Sequence, residues 1–315
     1  MPAVHRNYCD GNLVCERPCG NVVPHKLLEP DRVPGQPLPP FRNTTMRMTH
    51  AEGRAWYSAL MGARRYLEWG AGGTTVLAAW RSIHPTLPSL EAHTVESSRN
   101  FIENLREGAP LQVGAAEARA VAAMAFVGSG RTMASACALT ANGGSHNGGS
   151  ACENSGASGL SVHLGELGTV GEWGTPKGVW RSRPADARFA QAKAYVVWPA
   201  TTGAGRCCFD TILIDGRFRY ACALQALRLS HAHTTVLVHD FHSLVLKRGG
   251  MLHRGRGANG ASREGSYQNI SVWYDAMQRV HTLAVLRPKL AALEAAKRGD
   301  WTFEQALREA MDDPS

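Results

Sequence analysis

Residues 66–79 read YLEWGAGGTTVLAA: an apolar strand that closes on an acid, turns through glycines and continues as a helix. Gly70, Gly72 and Gly73 carry no side chain to hold a ligand away from the backbone, and the first turn of the next helix offers N–H groups without intrahelical partners. In an open α/β sheet, ligands bind beyond the carboxyl ends of the strands, where Glu68 and this turn should fall. The stretch predicts an α/β domain whose first turn receives a nucleoside-bearing ligand.

Which ligand follows from the flanking residues. A dinucleotide fingerprint starting at Gly70 needs a third glycine at position 75, where Thr75 stands. Glu68, two residues before the first glycine, repels a pyrophosphate and attracts a cofactor that carries an ammonium and a sulfonium. The balance favours S-adenosylmethionine over a nicotinamide dinucleotide, which stays as the other enzyme reading.

Further strands follow, several closing on acids. Residues 93–96 (HTVE) end in Glu96, 24 residues after Gly72, close to the spacing at which an acid reaches ribose hydroxyls. Residues 160–166 (LSVHLGE) predict a third strand with Glu166 at its exit. Residues 209–215 (FDTILID) form the strongest strand signal, closed by Asp215-Gly216 and followed by a helix from about Tyr220. Residues 234–240 (TTVLVHD) predict a fifth strand ending in Asp240, and 280–286 (VHTLAVL) a closing strand after the helix-like SVWYDAMQR.

The sequence E-x-G-x-G-G-T at 68–74 looks like motif I of the class I S-adenosylmethionine-dependent methyltransferases. Taken in order, LEWGAGG, TVE, GEWGTP, ILIDGRFRYACALQAL and VLVHDF resemble an uncharacterised group of methyltransferase-like proteins with LEYGSGGST-like and DGRFRVACAL-like segments. The resemblance spans roughly residues 49–289, apart from an insertion. It implies a doubly wound, mostly parallel, seven-stranded Rossmann-like sheet with helices on both faces. It further implies a cofactor held by Glu68, Gly70, Gly72, Gly73, Thr74 and Asp215, with Glu96 on the ribose and Glu166 near the adenine. It assigns no methyl acceptor.

Asp215 and Asp240 close strands that should be neighbours, which puts two carboxylates on one rim. Oxygen ligands of this kind suit Mg2+. The layout looks like catechol O-methyltransferase, although Phe241 stands where that family has Asn. Otherwise Asp215 caps the next helix or pairs with Arg217 or Arg219. His239 and His242 flank Asp240; by strand alternation His239 faces away from it, so His242 on the following loop is as plausible a general base beside Asp215 and Asp240. Residues 242–263 hold Lys247, Arg248, Arg254, Arg256 and Arg263 with no acid, within a chain of net charge +8. Such a loop favours an anionic acceptor: a uronic acid, a phosphorylated small molecule or a nucleic acid. Trp173, Trp180, Tyr267 and Trp273 offer aromatic faces to an acceptor or to the core.

With 315 residues and 44% hydrophobic content, the chain can bury one α/β core. It contains no run of 18 apolar residues and no amino-terminal secretory stretch, which predicts a cytoplasmic protein. Residues 1–48 form a Pro-rich extension whose Cys9, Cys15 and Cys19, with His5 or His25, could make a three-sulfur zinc site, but none of the eight cysteines forms a C-x-x-C pair. Cys208 should lie at a strand entrance and Cys222 on a buried helix face. Within 49–289 the family-like domain carries an insertion at about 108–160, where 115–127 reads as an Ala-rich helix and the Gly/Ser/Ala-rich remainder as a loop. Residues 290–315 predict a helical tail, with Leu290, Leu293 and Ala296 at helical spacing, Gly299 at a helix end and Asp300 as a cap. The expected activity is O-methylation of a small molecule or glycan. A nucleic-acid methyltransferase is the alternative, favoured by a calculated pI near 9.2, and a non-catalytic cofactor-binding scaffold is another.

Overall fold

The computed structural model of the chain describes residues 48–84, 87–104, 125–127, 159–165, 167, 183–201, 208–241, 244–246, 252–254 and 270–311. Residues 1–47, most of the insertion, Glu166, His242, Trp173, Trp180, Tyr267 and the cationic side chains of the 242–263 loop lie outside the described residues.

Helix α1 (His50–Gly62) starts where Thr49 and Glu52 predict. The Glu52 N–H donates to Thr49 Oγ1 at 3.3 Å and the Thr49 N–H donates to Glu52 Oε2 at 2.7 Å, closing a capping box. Thr49→Ala removes half of it and is expected to cost about 1 kcal/mol. The check is a lower urea midpoint at unchanged slope, and an unchanged midpoint would leave Glu52 as the sole determinant of the helix start.

Strand β1 (Arg65–Trp69) is buried along its length, as a central strand covered on both faces must be. It pairs in parallel with β2 (Glu91–Glu96) on one side and with β5 (Phe209–Ile214) on the other. Between β1 and β2 runs α2 (Gly73–Ile83). Outside β2 lie β4 (Gly159–Leu164) and then β3 (Ala125–Val127), both parallel. Helices α3 (Ala185–Val196) and α4 (Trp198–Thr201) precede β5, and α5 (Arg219–Arg228) joins it to β6 (Ser230–Val238), its parallel neighbour. A two-stranded ribbon of β7 (Leu244–Leu246) and β8 (Leu252–Arg254) stands apart. The short α6 (Ile270–Trp273) leads into the hairpin of β9 (Tyr274–Val280) and β10 (Leu283–Pro288), and the chain closes with α7 (Leu290–Arg298) and α8 (Trp301–Met311).

The sheet order is β3-β4-β2-β1-β5-β6-β10-β9. It is mixed: β10 runs antiparallel to both β6 and β9. One strand beyond the expected seven is β3. It corrects the end of the Ala-rich helix expected over 115–127, because Ala125, Phe126 and Val127 pair with β4, while 115–124 lie outside the described residues. A second correction concerns SVWYDAMQR, of which only the first residues are helical. The rest is β9, an edge strand with burial alternating poorly, so its Ala, Met, Gln and Arg read as helix former while the ladder to β10 decides the outcome.

Alternation along β1 separates two cores. Leu67 and Trp69 face α3, α5, α7 and α8, while Tyr66 faces α1 and α2. The tail helices are as predicted: Leu293 and Ala296 are buried, Gly299 ends α7 at φ 65°, and Asp300 Oδ1 accepts the Thr302 N–H at 2.9 Å. Leu290 is exposed, on the open face of α7. Cys208 is buried just before β5, and Cys222 is buried on α5. Among the described residues no helix is long and apolar enough to cross a membrane. The strand order reverses between β1 and β5, which makes their carboxyl ends the crevice where ligands bind in such sheets.

Candidate functional site

Beyond the paired strands the ladder continues by single hydrogen bonds. The Gly70 N–H donates to Val95 O (2.8 Å), Gly165 N–H to Glu96 O (2.8 Å), Asp215 N–H to Trp69 O (2.8 Å) and His239 N–H to Ile214 O (3.0 Å). Gly70, Glu96, Gly165, Asp215 and His239 therefore stand in one row along the carboxyl edge. Sequence spacing brought the acids to strand ends; these registers bring them together.

Gly70 has φ 96°, and a Cβ there would lie 2.6 Å from Gly216 N and 2.7 Å from the Asp215 carbonyl carbon. The exits of β1 and β5 touch backbone to backbone. Gly72 is extended, with open space around the place of a side chain, and Gly73 opens α2. The Gly72 N–H donates to Thr75 Oγ1 (2.9 Å), and Thr75 Oγ1 donates to Glu68 Oε2 (2.9 Å).

Glu68 therefore lies beneath the turn. It is fully buried, and its carboxylate accepts from the hydroxyls of Thr74, Thr75 and Thr94, the last at 3.2 Å. Burial, joined by the Asp215 charge and only partly offset by the threonines, pushes its pKa up to about 8. The side chains of Glu68 and Thr74, both expected to hold a ligand, are hydrogen-bonded to each other and brace the turn.

Glu96 is buried at the end of β2. Its Oε1 accepts from Ser97 N–H (2.7 Å), Ser97 Oγ (3.0 Å) and Ser98 N–H (2.8 Å), and Oε2 accepts from the Ala71 N–H (2.9 Å). Burial pushes its pKa above the ordinary range despite these donors. A carboxylate has about four acceptor sites, two per oxygen. Oε2, with its single donor from the glycine turn, retains capacity for a hydroxyl.

Asp215 Oδ1 accepts from His239 Nδ1 at 2.8 Å and lies 3.6 Å from the Arg219 guanidinium. Arg219 makes its shorter contact with Asp240 Oδ2, at 3.0 Å. The pairing of Asp215 and Asp240 on one rim is as expected, and so is the pairing of Asp215 with an arginine. His239 is not turned away from the acids. Continuing the β6 alternation it falls on the same face as Asp215, while Asp240, at φ 54°, turns back to within 4.0 Å of His239 Nδ1. Strand alternation ends at Val238, before either residue.

Mg2+ does not fit this group as placed. Asp215, His239 and Asp240 bring ligand atoms within 4.8 Å of one another. Yet Asp240 is paired with the Arg219 guanidinium, and the third atom is an imidazole nitrogen hydrogen-bonded to Asp215, where Mg2+ demands an octahedron of oxygens.

Glu52 is the contributor that sequence did not assign to the rim. Its Oε1 accepts the Thr282 N–H and hydroxyl, both at 2.6 Å, and its Oε2 lies 3.9 Å from His239 Nε2. Burial works against its ionisation, but the bonds from Thr282 and Thr49 hold its pKa at about 2. The only signal in the sequence was its capping role, and nothing there links position 52 to 282. Trp273, offered as an acceptor platform, is core: its Nε1 donates to Tyr220 Oη at 3.3 Å and its ring meets Phe303 edge-on.

No family model and no curated protein matches the sequence. Among solved structures the chain is similar to a methyltransferase-like protein from Silicibacter pomeroyi DSS-3, at 21% identity and a TM-score of 0.46, over 80% of this chain and 96% of that one.

Proposed function

We propose that the chain is an S-adenosylmethionine-dependent methyltransferase acting on an oxygen of a small molecule or glycan. The observation that carries this reading is the crevice between β1 and β5, where a side-chain-free turn meets Glu96 on one side and Asp215 on the other. Thr75 in place of a third glycine argues against a dinucleotide, since it fills the position with a hydroxyl bonded to Glu68.

Residues that fit the cofactor are Gly70 and Gly72, which admit it to the backbone, Glu96 Oε2, which accepts a ribose hydroxyl, and Asp215, which faces its cationic end. The bound cofactor would supply a methyl group on a sulfonium, already a good electrophile. The chain's work is then to hold the reactants in line and exclude water. If the acceptor is a hydroxyl, Asp240, the more exposed carboxylate of the pair, is placed to take up its proton. The basic loop after β6 supports an anionic acceptor, and a metal has no part in this reading.

Isothermal titration tests it. The wild type is expected to bind S-adenosylmethionine and S-adenosylhomocysteine and to give no heat with NADH. Glu96→Gln should weaken S-adenosylhomocysteine binding about 10- to 150-fold, the cost of losing a hydrogen bond to a charged group. A wild type that binds neither nucleoside, or binds NADH instead, refutes the assignment.

A further inference from the structure

We propose that His239 is a positioning residue that fixes the Asp215 carboxylate beside the glycine turn as counter-charge to an ammonium group on the bound nucleoside. The inference rests on the cofactor reading above and adds a residue and a chemical selectivity to it.

Asp215 has two cationic neighbours, and they pull in different directions. Arg219 reaches both carboxylates but is committed to Asp240, at 3.0 Å against 3.6 Å to Asp215. Among the described residues His239 Nδ1, at 2.8 Å, is the group that holds Asp215 closely, and it does so through Oδ1. Without that bond the Asp215 carboxylate would be drawn to Arg219, although its backbone stays in register beside Gly70, where the N–H donates to Trp69 O and the carbonyl carbon adjoins the turn. His239 is itself fixed from behind. Its side chain is almost wholly buried, and Nε2 faces Glu52, an acid immobilised by Thr49 and Thr282. Burial alone would lower the imidazole pKa, but the Asp215 bond and the charges of Asp215, Asp240 and Glu52 raise it, which keeps Nδ1 a donor. With both nitrogens turned to carboxylates, the ring is arranged to orient Asp215 rather than to accept a substrate proton.

The test uses two substitutions that each keep one nitrogen. The amide nitrogen of Asn stands near the place of Nδ1, and that of Gln near Nε2. S-adenosylhomocysteine carries the amino-acid ammonium, and 5′-methylthioadenosine lacks it. His239→Asn is expected to bind S-adenosylhomocysteine within about threefold of wild type, and His239→Gln about tenfold or more weaker, while all three proteins bind 5′-methylthioadenosine alike. Urea midpoints of both variants confirm that each is folded under the titration conditions. Equal effects of Asn and Gln, or a loss that extends equally to 5′-methylthioadenosine, overturn the positioning role while leaving the cofactor reading intact. A wild type that binds neither nucleoside removes both.

Discussion

Gly70→Ala and Gly216→Ala are each expected to lower the unfolding free energy by about 3 kcal/mol or more, whereas Gly72→Ala should cost less than about 1 kcal/mol. At Gly70 two costs add. The backbone at φ 96° disfavours any Cβ, and that Cβ would stand 2.6 Å from Gly216 N, a backbone atom that no rotamer change can move away. At Gly216 the added methyl would meet Gly70 N at 3.0 Å and run into the hydroxyl of Tyr195, which is fully buried. Tyr195→Phe removes that hydroxyl, so it should recover part of the loss in Gly216→Ala, and the coupling is measurable as a double-mutant cycle. Gly72 is different, because its extended backbone suits any residue and a Cβ would meet only Thr74 Oγ1, at 4.0 Å. On the proposed function its place is to admit a ligand: Gly72→Val should fold and lose S-adenosylhomocysteine affinity. Urea midpoints at constant slope are the readout. An unchanged midpoint for Gly70→Ala would mean that the two strand exits are not in backbone contact.

These three glycines mark how far the chain could be read from its residues. YLEWGAGGTT announced a strand, a turn and a helix, because those depend on local periodicity and on the absence of side chains at the turn. It could not say which glycine is sterically required. That depends on Gly216, 146 positions from Gly70, and on Tyr195, both placed by strand pairing. The central strands were legible for a related reason, since β1 and the ends of β5 and β6 are buried on both faces, the last two as the apolar runs ILI and VLV. β9 was not legible, being an edge strand whose exposed Met277 and Gln278 carry no period of two.

At the site, the residues placed at strand ends were found and the partners they take were not. Glu96, reached by a count from the glycine turn, and Asp215, reached as the close of an apolar run, both stand at strand ends. His239 was expected to face away from Asp240 by alternation, a rule that holds only while the chain remains a strand, and Asp240 leaves it at φ 54°. Glu52 could be seen only as a cap, because its second set of bonds crosses 230 positions to Thr282. Glu68 was found, but the hydroxyls that surround it were not. Alternation along β1 sends its side chain to the α2 face, under the helix that starts with the turn, where three hydroxyls meet it.

That placement has a consequence in pH. Glu68→Gln is expected to become more stable relative to wild type as pH rises, by an amount approaching about 4 kcal/mol between pH 5 and pH 9. The folded-state pKa of Glu68 is about 8, against an ordinary value of 4.5. Between those values the folded protein keeps a proton that the unfolded chain has released, so stability falls as pH rises through this window and levels off above it. Other groups titrate nearby. His239, raised, also loses its contribution as pH rises through its folded pKa, while His163, driven down by burial and by His93, works the opposite way below pH 6.5. Glu52, Glu91 and Asp210, all lowered, matter only on the acid side. All of these are common to both proteins, so the difference between wild type and Glu68→Gln isolates Glu68. Urea titrations at intervals from pH 5 to pH 9 measure it, and curves that run parallel would show that Glu68 ionises in the fold at an ordinary pKa. The same variant separates bracing from binding. If the carboxyl supports the turn while holding its proton, Gln should replace it with S-adenosylhomocysteine affinity within about threefold of wild type, since an exchange of one neutral hydrogen-bonding group for another has a small net effect. If instead its charge attracts the cofactor, affinity at pH 7 should drop about tenfold or more, as for the loss of a charged partner.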